Sequence, residues 1–269
     1  SNKIIYRVIP AVRGIKQGFR KNELALRFDF TVPLARFVAA NPELPKPFKR
    51  YQIGNLWRGE SPQVGRYREF MQADVDIVGS SSMEADAEII TVLYRTLRNL
   101  GVNNFLIKIN NRKILDGLPQ FAGFPQKKLW ELLRIIDKKG KIGDGAVKKE
   151  ISRLLEKEAQ TKVDGFLALQ GETRTKLAGA KKLFVGSAAA EEGIRELAEI
   201  AENLTIAGVE QKYWEVDFSI VRGLGYYTGP VFETILLDKP SIGSISSGGR
   251  YDNLVMSFTG QKIPAVGVS

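Results

Sequence analysis

Arg66, Arg68, Phe70, Gln72, Asp74 and Asp76 recur at every second position, so on an extended strand they share one face. Guanidinium groups bind phosphate oxygens in fork geometry and stay charged at any physiological pH. Carboxylates and an amide further along can hold an ammonium group or another donor. Gln72 and Asp76 are four residues apart, roughly 13 Å on a strand. One face could therefore hold a phosphate compound beside a small amino compound. Arg58 and Glu60 flank the loop that opens this strand, Gly59 to Arg66. The same pattern also suits a solvated sheet face, since antiparallel sheets often have one wet side.

Three further groups draw attention. Asp29 and Thr31 precede an apolar helical stretch, where either could cap the helix or point into a site. Arg222 to Pro230 combines an arginine, three glycines and the adjacent tyrosines Tyr226 and Tyr227. That suits close approach of backbone to a ligand, or a glycine-rich strand connection with a surface arginine. Ser246 to Asp252 reads as a loop or strand where backbone comes close to something flat or bulky. No P-loop and no Rossmann fingerprint occurs, so any nucleotide would bind through another architecture. The chain has no histidine and no cysteine. Imidazole triads, Cys-His pairs, Cys/His zinc sites and disulfides are therefore excluded from it.

The elements that must position these residues are legible in outline. A helix is expected from Thr31, strands over 48–58 and 67–78, and a capped helix from Ser81-Ser82-Met83-Glu84 that carries Ile89, Ile90, Leu93, Leu97 and Leu100. A short strand follows at Phe105 to Ile109. Residues 112–205 are rich in Lys, Glu, Leu and Ala at helical spacing, with strands possible near 165–169 and 183–186. Strands return at 214–221, 231–237 and from Ile242. The expected fold is α+β, with a first part at 1–111, a helical insertion at 112–205 and a second part at 206–269. The first sixty residues hold 12 basic and 4 acidic groups of a chain whose net charge is +10. Such asymmetry suits a polyanionic partner or a basic solvated surface. No apolar run reaches membrane length and the start lacks an apolar signal core, so the cytoplasm is the expected compartment.

Four stretches together resemble the histidyl-tRNA synthetase family of class II aminoacyl-tRNA synthetases: Ala25 to Arg36, Arg50 to Gly79 (similar to motif 2), Arg222 to Glu233 (similar to the histidine signature) and Gly248 to Val268 (similar to the approach to motif 3). Asn110 to Lys113 fits as well. The resemblance implies an antiparallel sheet flanked by helices, a helical insertion, and usually a homodimer. It implies that ATP and L-histidine form histidyl-adenylate, and that the histidyl group passes to tRNA(His). Magnesium would neutralise the pyrophosphate. By position, Arg58 would contact the α-phosphate, Glu60 the adenine and Arg66 the phosphate chain, with Arg68 and Phe70 completing the ATP site. Asp29, Thr31 and Gln72 would hold the α-amino group. Asp76 and Tyr227 would read the imidazole, with Tyr226 lining that pocket. Arg222 would stabilise charge on the α-phosphate during attack. The resemblance identifies no metal-holding side chains.

Gly225 stands where the family often has an acidic residue, and Phe28 where it often has proline. Motif 1 is largely missing before residue 20. The sequence stops before the motif 3 arginine and shows no C-terminal anticodon-binding domain, as a catalytic-domain portion would. Two relatives of different function share the architecture: a synthetase-like regulatory subunit of ATP phosphoribosyltransferase, and a synthetase-like RNA-sensing domain. Retained Arg58 and Arg222 argue against both.

Overall fold

The computed structural model describes residues 4–8, 24–222 and 225–269. The irregular opening expected over 1–22 lies mostly outside them, as do Gly223 and Leu224 of the signature. A two-residue pair, β1 (Arg7–Val8) with β2 (Leu24–Ala25), precedes helix α1 (Thr31–Ala40). The hairpin follows as β3 (Phe48–Trp57) and β4 (Glu69–Val78), then helix α2 (Met83–Asn99) and strand β5 (Phe105–Asn111). Seven helices come next: α3 (Arg112–Asp116), α4 (Leu118–Ala122), α5 (Leu129–Asp137), α6 (Lys139–Leu154), α7 (Lys157–Leu167), α8 (Thr173–Leu183) and α9 (Ala188–Ile206). The chain ends in β6 (Trp214–Val216), β7 (Pro230–Leu236), β8 (Ser244–Arg250), a short helix α10 (Met256–Thr259) and β9 (Ala265–Val268).

Seven strands form one sheet in the order β3-β4-β9-β8-β7-β5-β6. Every pair is antiparallel except β5 with β6. A parallel neighbour needs a crossover connection rather than a tight turn. The helical block α3–α9 is that crossover. The strands expected at 165–169 and 183–186 are absent. The first is the end of α7 and the turn after it, and the second is the end of α8 with a turn. A short apolar run such as Phe166-Leu167 cannot by itself separate a buried helix from a strand. The strand expected over 214–221 stops at Val216, where Asp217 turns the chain through bonds to the Ser219 amide and hydroxyl.

Apolar spacing explains the packing. On α2, Ile89, Ile90 and Leu93 are buried against the sheet; Ser82 caps its first turn by accepting from the Glu84 amide at 3.2 Å. Leu100 lies past the last turn and is 72% exposed, contrary to the expected apolar stripe. Helix residues Ile135, Ile151 and Phe166 share one continuous core with sheet residues Ile107, Ile109 and Phe232. A second, smaller cluster joins Leu34, Ala35 and Val38 of α1 to Val78, Tyr251 and Ala265. This cluster fixes the start of α1 beside β4 and β9.

The hairpin's faces are the reverse of the usual pattern. Tyr51, Ile53 and Met71 are exposed, whereas Asp74 and Asp76 are buried. The polar face is turned inward and is not the solvated one. No helix among the described residues is long and apolar enough to cross a membrane.

Candidate active site

The inward face of β4 carries a chain of polar contacts. Arg58, just after β3, lies between the rings of Phe28 and Phe70, its guanidinium carbon 5.0 Å from each ring centre. Its Nε donates to the Phe28 carbonyl at 3.2 Å and its Nη2 donates to Gln72 Oε1 at 3.2 Å. Gln72 Nε2 then donates to Asp74 Oδ1 at 2.7 Å. Stacking on two rings holds a guanidinium flat while leaving its charge available. Phe28, at the position where proline is common, supplies one of those rings.

Two positions along, Asp76 is engaged by protein groups. Tyr251 donates its hydroxyl to Asp76 Oδ1 at 2.5 Å, and Arg50 Nη2 lies 3.0 Å from Asp76 Oδ2. Arg50 also donates to the Phe30 carbonyl at 3.1 Å and to Gln52. Burial pushes the Asp76 carboxyl above its usual range despite Tyr251 and Arg50, and pushes the Tyr251 hydroxyl well up. Thr31, Asp74, Asp76, Tyr226, Tyr227, Ser247, Tyr251 and Gly267 converge on one pocket. Thr31 opens α1, and Asp29 Oδ1 accepts from the Val32 amide at 3.0 Å, so Asp29 caps the helix while standing beside the pocket. The Tyr226 and Tyr227 rings are 4.5 Å apart, and both hydroxyls are held protonated, chiefly by burial.

Asp74 has a different environment. Desolvation, outweighing the Gln72 hydrogen bond, pushes its carboxyl up to about 6. A folded-state value above the unfolded one means that its contribution to stability is complete below about 3.8 and is lost as pH rises through about 6. At neutral pH the ionised group then costs the empty fold on the order of 3 kcal/mol. A bound cation would offset that cost.

Glycines make the pocket wall. A Cβ on Gly267 would run into the Asp76 carboxylate, whose Cγ would lie 2.8 Å away. A Cβ on Gly248 would meet the Gly267 carbonyl and the Phe232 ring. We expect Gly267→Ala to weaken binding of the pocket's ligand at least tenfold, since Asp76 must leave Tyr251 or Arg50 to make room. Calorimetric titration checks this, and unaltered affinity would contradict the packing argument.

Arg222 sits after β6, and its Nε donates to Glu233 Oε2 on β7 at 2.5 Å. Arg66, Arg68 and Glu60 lie on the exposed loop, where Arg68 Nε donates to the Glu60 carbonyl at 3.4 Å. The structure thus brings Thr31, Asp76, Tyr226 and Tyr227 into one pocket, with Asp29 beside it, and links Arg58, Phe70 and Gln72 alongside. It leaves Glu60, Arg66 and Arg68 open on the loop. Sequence reasoning reached Ser247 and Tyr251 only within the Ser246 to Asp252 run, and Asp74 only among the strand carboxylates able to hold an ammonium group; it gave no individual role to Arg50 or Gly267. A larger groove between α8, α9 and β6, rimmed by Glu172, Arg174 and Glu202, collects none of these motifs.

A largely antiparallel sheet whose hairpin turns Arg50, Arg58, a glutamine and two aspartates inward is the class II aminoacyl-tRNA synthetase fold. The sequence profile of the family described as Histidyl-tRNA synthetase matches residues 14–269. The chain belongs to the histidyl-tRNA synthetase family. A histidine–tRNA ligase of Clostridium tetani is 43% identical over 262 residues, covering 94% of this chain and 59% of the relative. One of Aeropyrum pernix is 46% identical over 248 residues, covering 91% and 55%. The crystal structure of histidyl-tRNA synthetase from Nostoc superposes with a TM-score of 0.87 at 34% identity, covering 99% of this chain and 60% of that one. A Bacillus halodurans protein described as an ATP phosphoribosyltransferase regulatory subunit/histidyl-tRNA synthetase superposes at 0.82 with 25% identity, covering 100% and 66%. The chain therefore spans less than two thirds of these curated relatives' length.

Proposed function

We propose that this chain is the catalytic portion of a histidine–tRNA ligase, which condenses L-histidine with ATP to histidyl-adenylate and pyrophosphate and then charges the 3′ end of tRNA(His). The observation that carries the reading is the continuous run from a ring-sandwiched arginine through Gln72 to a buried carboxylate and tyrosine pocket. A phosphate end and an amino-acid end adjoin in that run. Adenylate formation needs positioning and charge stabilisation more than a strong base, because a carboxylate is already a nucleophile at pH 7. Arg58 would bind the α-phosphate, and Arg66, Arg68, Glu60 and Phe70 would hold the rest of ATP. Asp29, Thr31 and Gln72 would take the α-amino group, and Asp76, Tyr226 and Tyr227 the imidazole. Arg222 would meet the charge that develops on the α-phosphate.

Among the described residues no group of three acidic side chains is placed to cage a cation. Magnesium would therefore be held chiefly by ATP's own phosphates and would neutralise the pyrophosphate as it leaves. The exposed apolar residues Tyr51, Ile53 and Met71 on the outward face of the hairpin favour a homodimer. The basic surface suits tRNA, and the cytoplasm is the compartment such a reaction would occupy. The likeness to the Bacillus halodurans protein favours a second reading, a regulatory subunit that binds histidine without charging tRNA. Histidine-dependent exchange of pyrophosphate into ATP, measured on the full-length protein, separates the two. Exchange supports the ligase, and histidine binding without exchange overturns it.

A further inference from the structure

Asn110 and Asn111 end β5, and both are fully buried. A buried asparagine amide must find partners for its donors and its acceptor. Neighbouring strand residues point to opposite faces, and the two side chains serve different elements. Asn111 serves the helical block: its Oδ1 accepts from the Lys113 amide at 3.0 Å and its Nδ2 donates to Glu196 Oε2 at 2.7 Å. Asn110 Nδ2 donates to the Phe218 carbonyl at 3.1 Å and to the Ile220 carbonyl at 2.8 Å, and its Oδ1 accepts from the Asn111 amide at 2.7 Å. Its amide nitrogen is thus committed to the residues that lead into Arg222.

That approach does not continue the strand. β6 ends at Val216, beside Ile109 of β5. Continued as a strand to Arg222, the chain would run about 20 Å further, well past the end of β5. Instead the Arg222 guanidinium meets Glu233, whose cross-strand neighbour is Lys108. Residues 217–221 therefore fold back over the face that Lys108, Asn110 and Glu233 share. Folding back takes their carbonyls out of the ladder, and buried carbonyls need donors from elsewhere. Phe218 and Ile220 are both buried. The start of the segment is tied by the Asp217 amide, which donates to the Ile109 carbonyl at 2.9 Å, and by Lys108 Nζ, 2.8 Å from Asp217 Oδ2. Nearer to Arg222, the tie to β5 is Asn110.

We infer that Asn110 is a positioning residue for Arg222, fixing the backbone path that aims the guanidinium at the reacting phosphate. This inference rests on the proposed function and deepens it. Glu233 holds Arg222 at the charged end of a flexible side chain, and Asn110 holds the main chain at the other end. Both restraints are needed, because a displacement of about 1 Å in a group that meets developing charge costs on the order of 10²-fold in rate.

The test uses Asn110→Ala and Asn110→Asp in the full-length protein, each alone and combined with Arg222→Ala. Histidine-dependent exchange of pyrophosphate into ATP is measured at saturating substrate, histidine affinity by calorimetry, and folding by thermal unfolding. Each single variant should slow exchange about 10- to 100-fold, with histidine affinity within about threefold of wild type. In the Arg222→Ala background the same substitutions should cost less than about threefold more, because the group they misplace is gone. The Asn110→Asp variant should regain exchange, relative to wild type, as pH falls: a protonated carboxyl can donate to one of the two carbonyls, and a carboxylate to neither. A residue that only supports the fold would instead give losses that multiply in the double variants, and that result would overturn the inference. Unchanged exchange in the single variants, or a histidine affinity that falls as far as the rate, would overturn it too. Single variants that do not fold would make Asn110 a support of the sheet and overturn it as well. Wild-type protein that shows no exchange would sink the proposed function itself, before any variant is compared.

Discussion

Replacing Arg222 by alanine is expected to slow histidine-dependent pyrophosphate exchange by about 10²- to 10³-fold, the usual effect of deleting one donor aimed at developing charge. Arg222 is one-third exposed and leans on Glu233, which is 15% exposed. Its guanidinium is therefore fixed in direction by a neighbouring strand while one side stays open. Loss of the arginine leaves Glu233 near Lys108, whose ammonium is already held charged by Asp217 and helped by Glu233. That residual compensation should limit the stability change to about 1 kcal/mol or less, as expected for a partly exposed pair. The affinity for histidine should be nearly unaltered, since no role in holding the ground state is assigned to Arg222. Arg222→Lys should restore little, because a point charge does not reproduce the fork. An alanine variant with normal exchange would remove Arg222 from the chemistry.

The largest stability effect is expected at Arg250, which ligates nothing. Arg250 ends β8 and is 2% exposed; its Nε donates to both oxygens of Asp86, at 3.1 and 3.3 Å. Its terminal nitrogens donate to the Ser80 carbonyl at 2.9 Å and the Ser82 carbonyl at 3.0 Å. One side chain thus ties the sheet to the start of α2. Removing it strands a fully buried carboxylate, and breaking such a pair costs about 3–5 kcal/mol. Arg250→Ala should lower the unfolding temperature by about 10 °C. The double variant Asp86→Asn with Arg250→Met should recover much of that loss, because no charge is left unpaired. A fall of under about 2 °C in the single variant would contradict the strut.

The two residues also show how far the sequence could be read. Arg222 was found because it stands in a run of glycines and tyrosines that resembles a family signature. Arg250 stands in a similar run, Ser247 to Tyr251, where the glycines do serve a close approach, of Gly248 to the neighbouring strand and Phe232. Nothing in that run says that the arginine meets an aspartate more than 160 residues away. The hairpin was legible because alternation has a period of two. Which face turns inward was not, because a covered face that forms a ligand site is polar, and hydropathy assigns polar faces to water. Strand β9 was resolved only as the start of a motif, since four residues, Ala265 to Val268, carry too little periodicity to define an element.

The pairing of β4 with β9 has a bearing on how the molecule comes to exist. Val78 lies beside Ala265, roughly 190 residues further along the chain. The wall that carries Asp74 and Asp76 is made early, and the wall that carries Gly267 is made late. Closing so long a loop is slow relative to forming hairpins and helices. A nascent chain can build β3-β4, α2 and the helical crossover before its pocket has a second side. Until β9 arrives, one edge of β4 keeps its backbone donors and acceptors unpaired, a state prone to pairing with other chains. Competence to bind and completion of the sheet are then the same event.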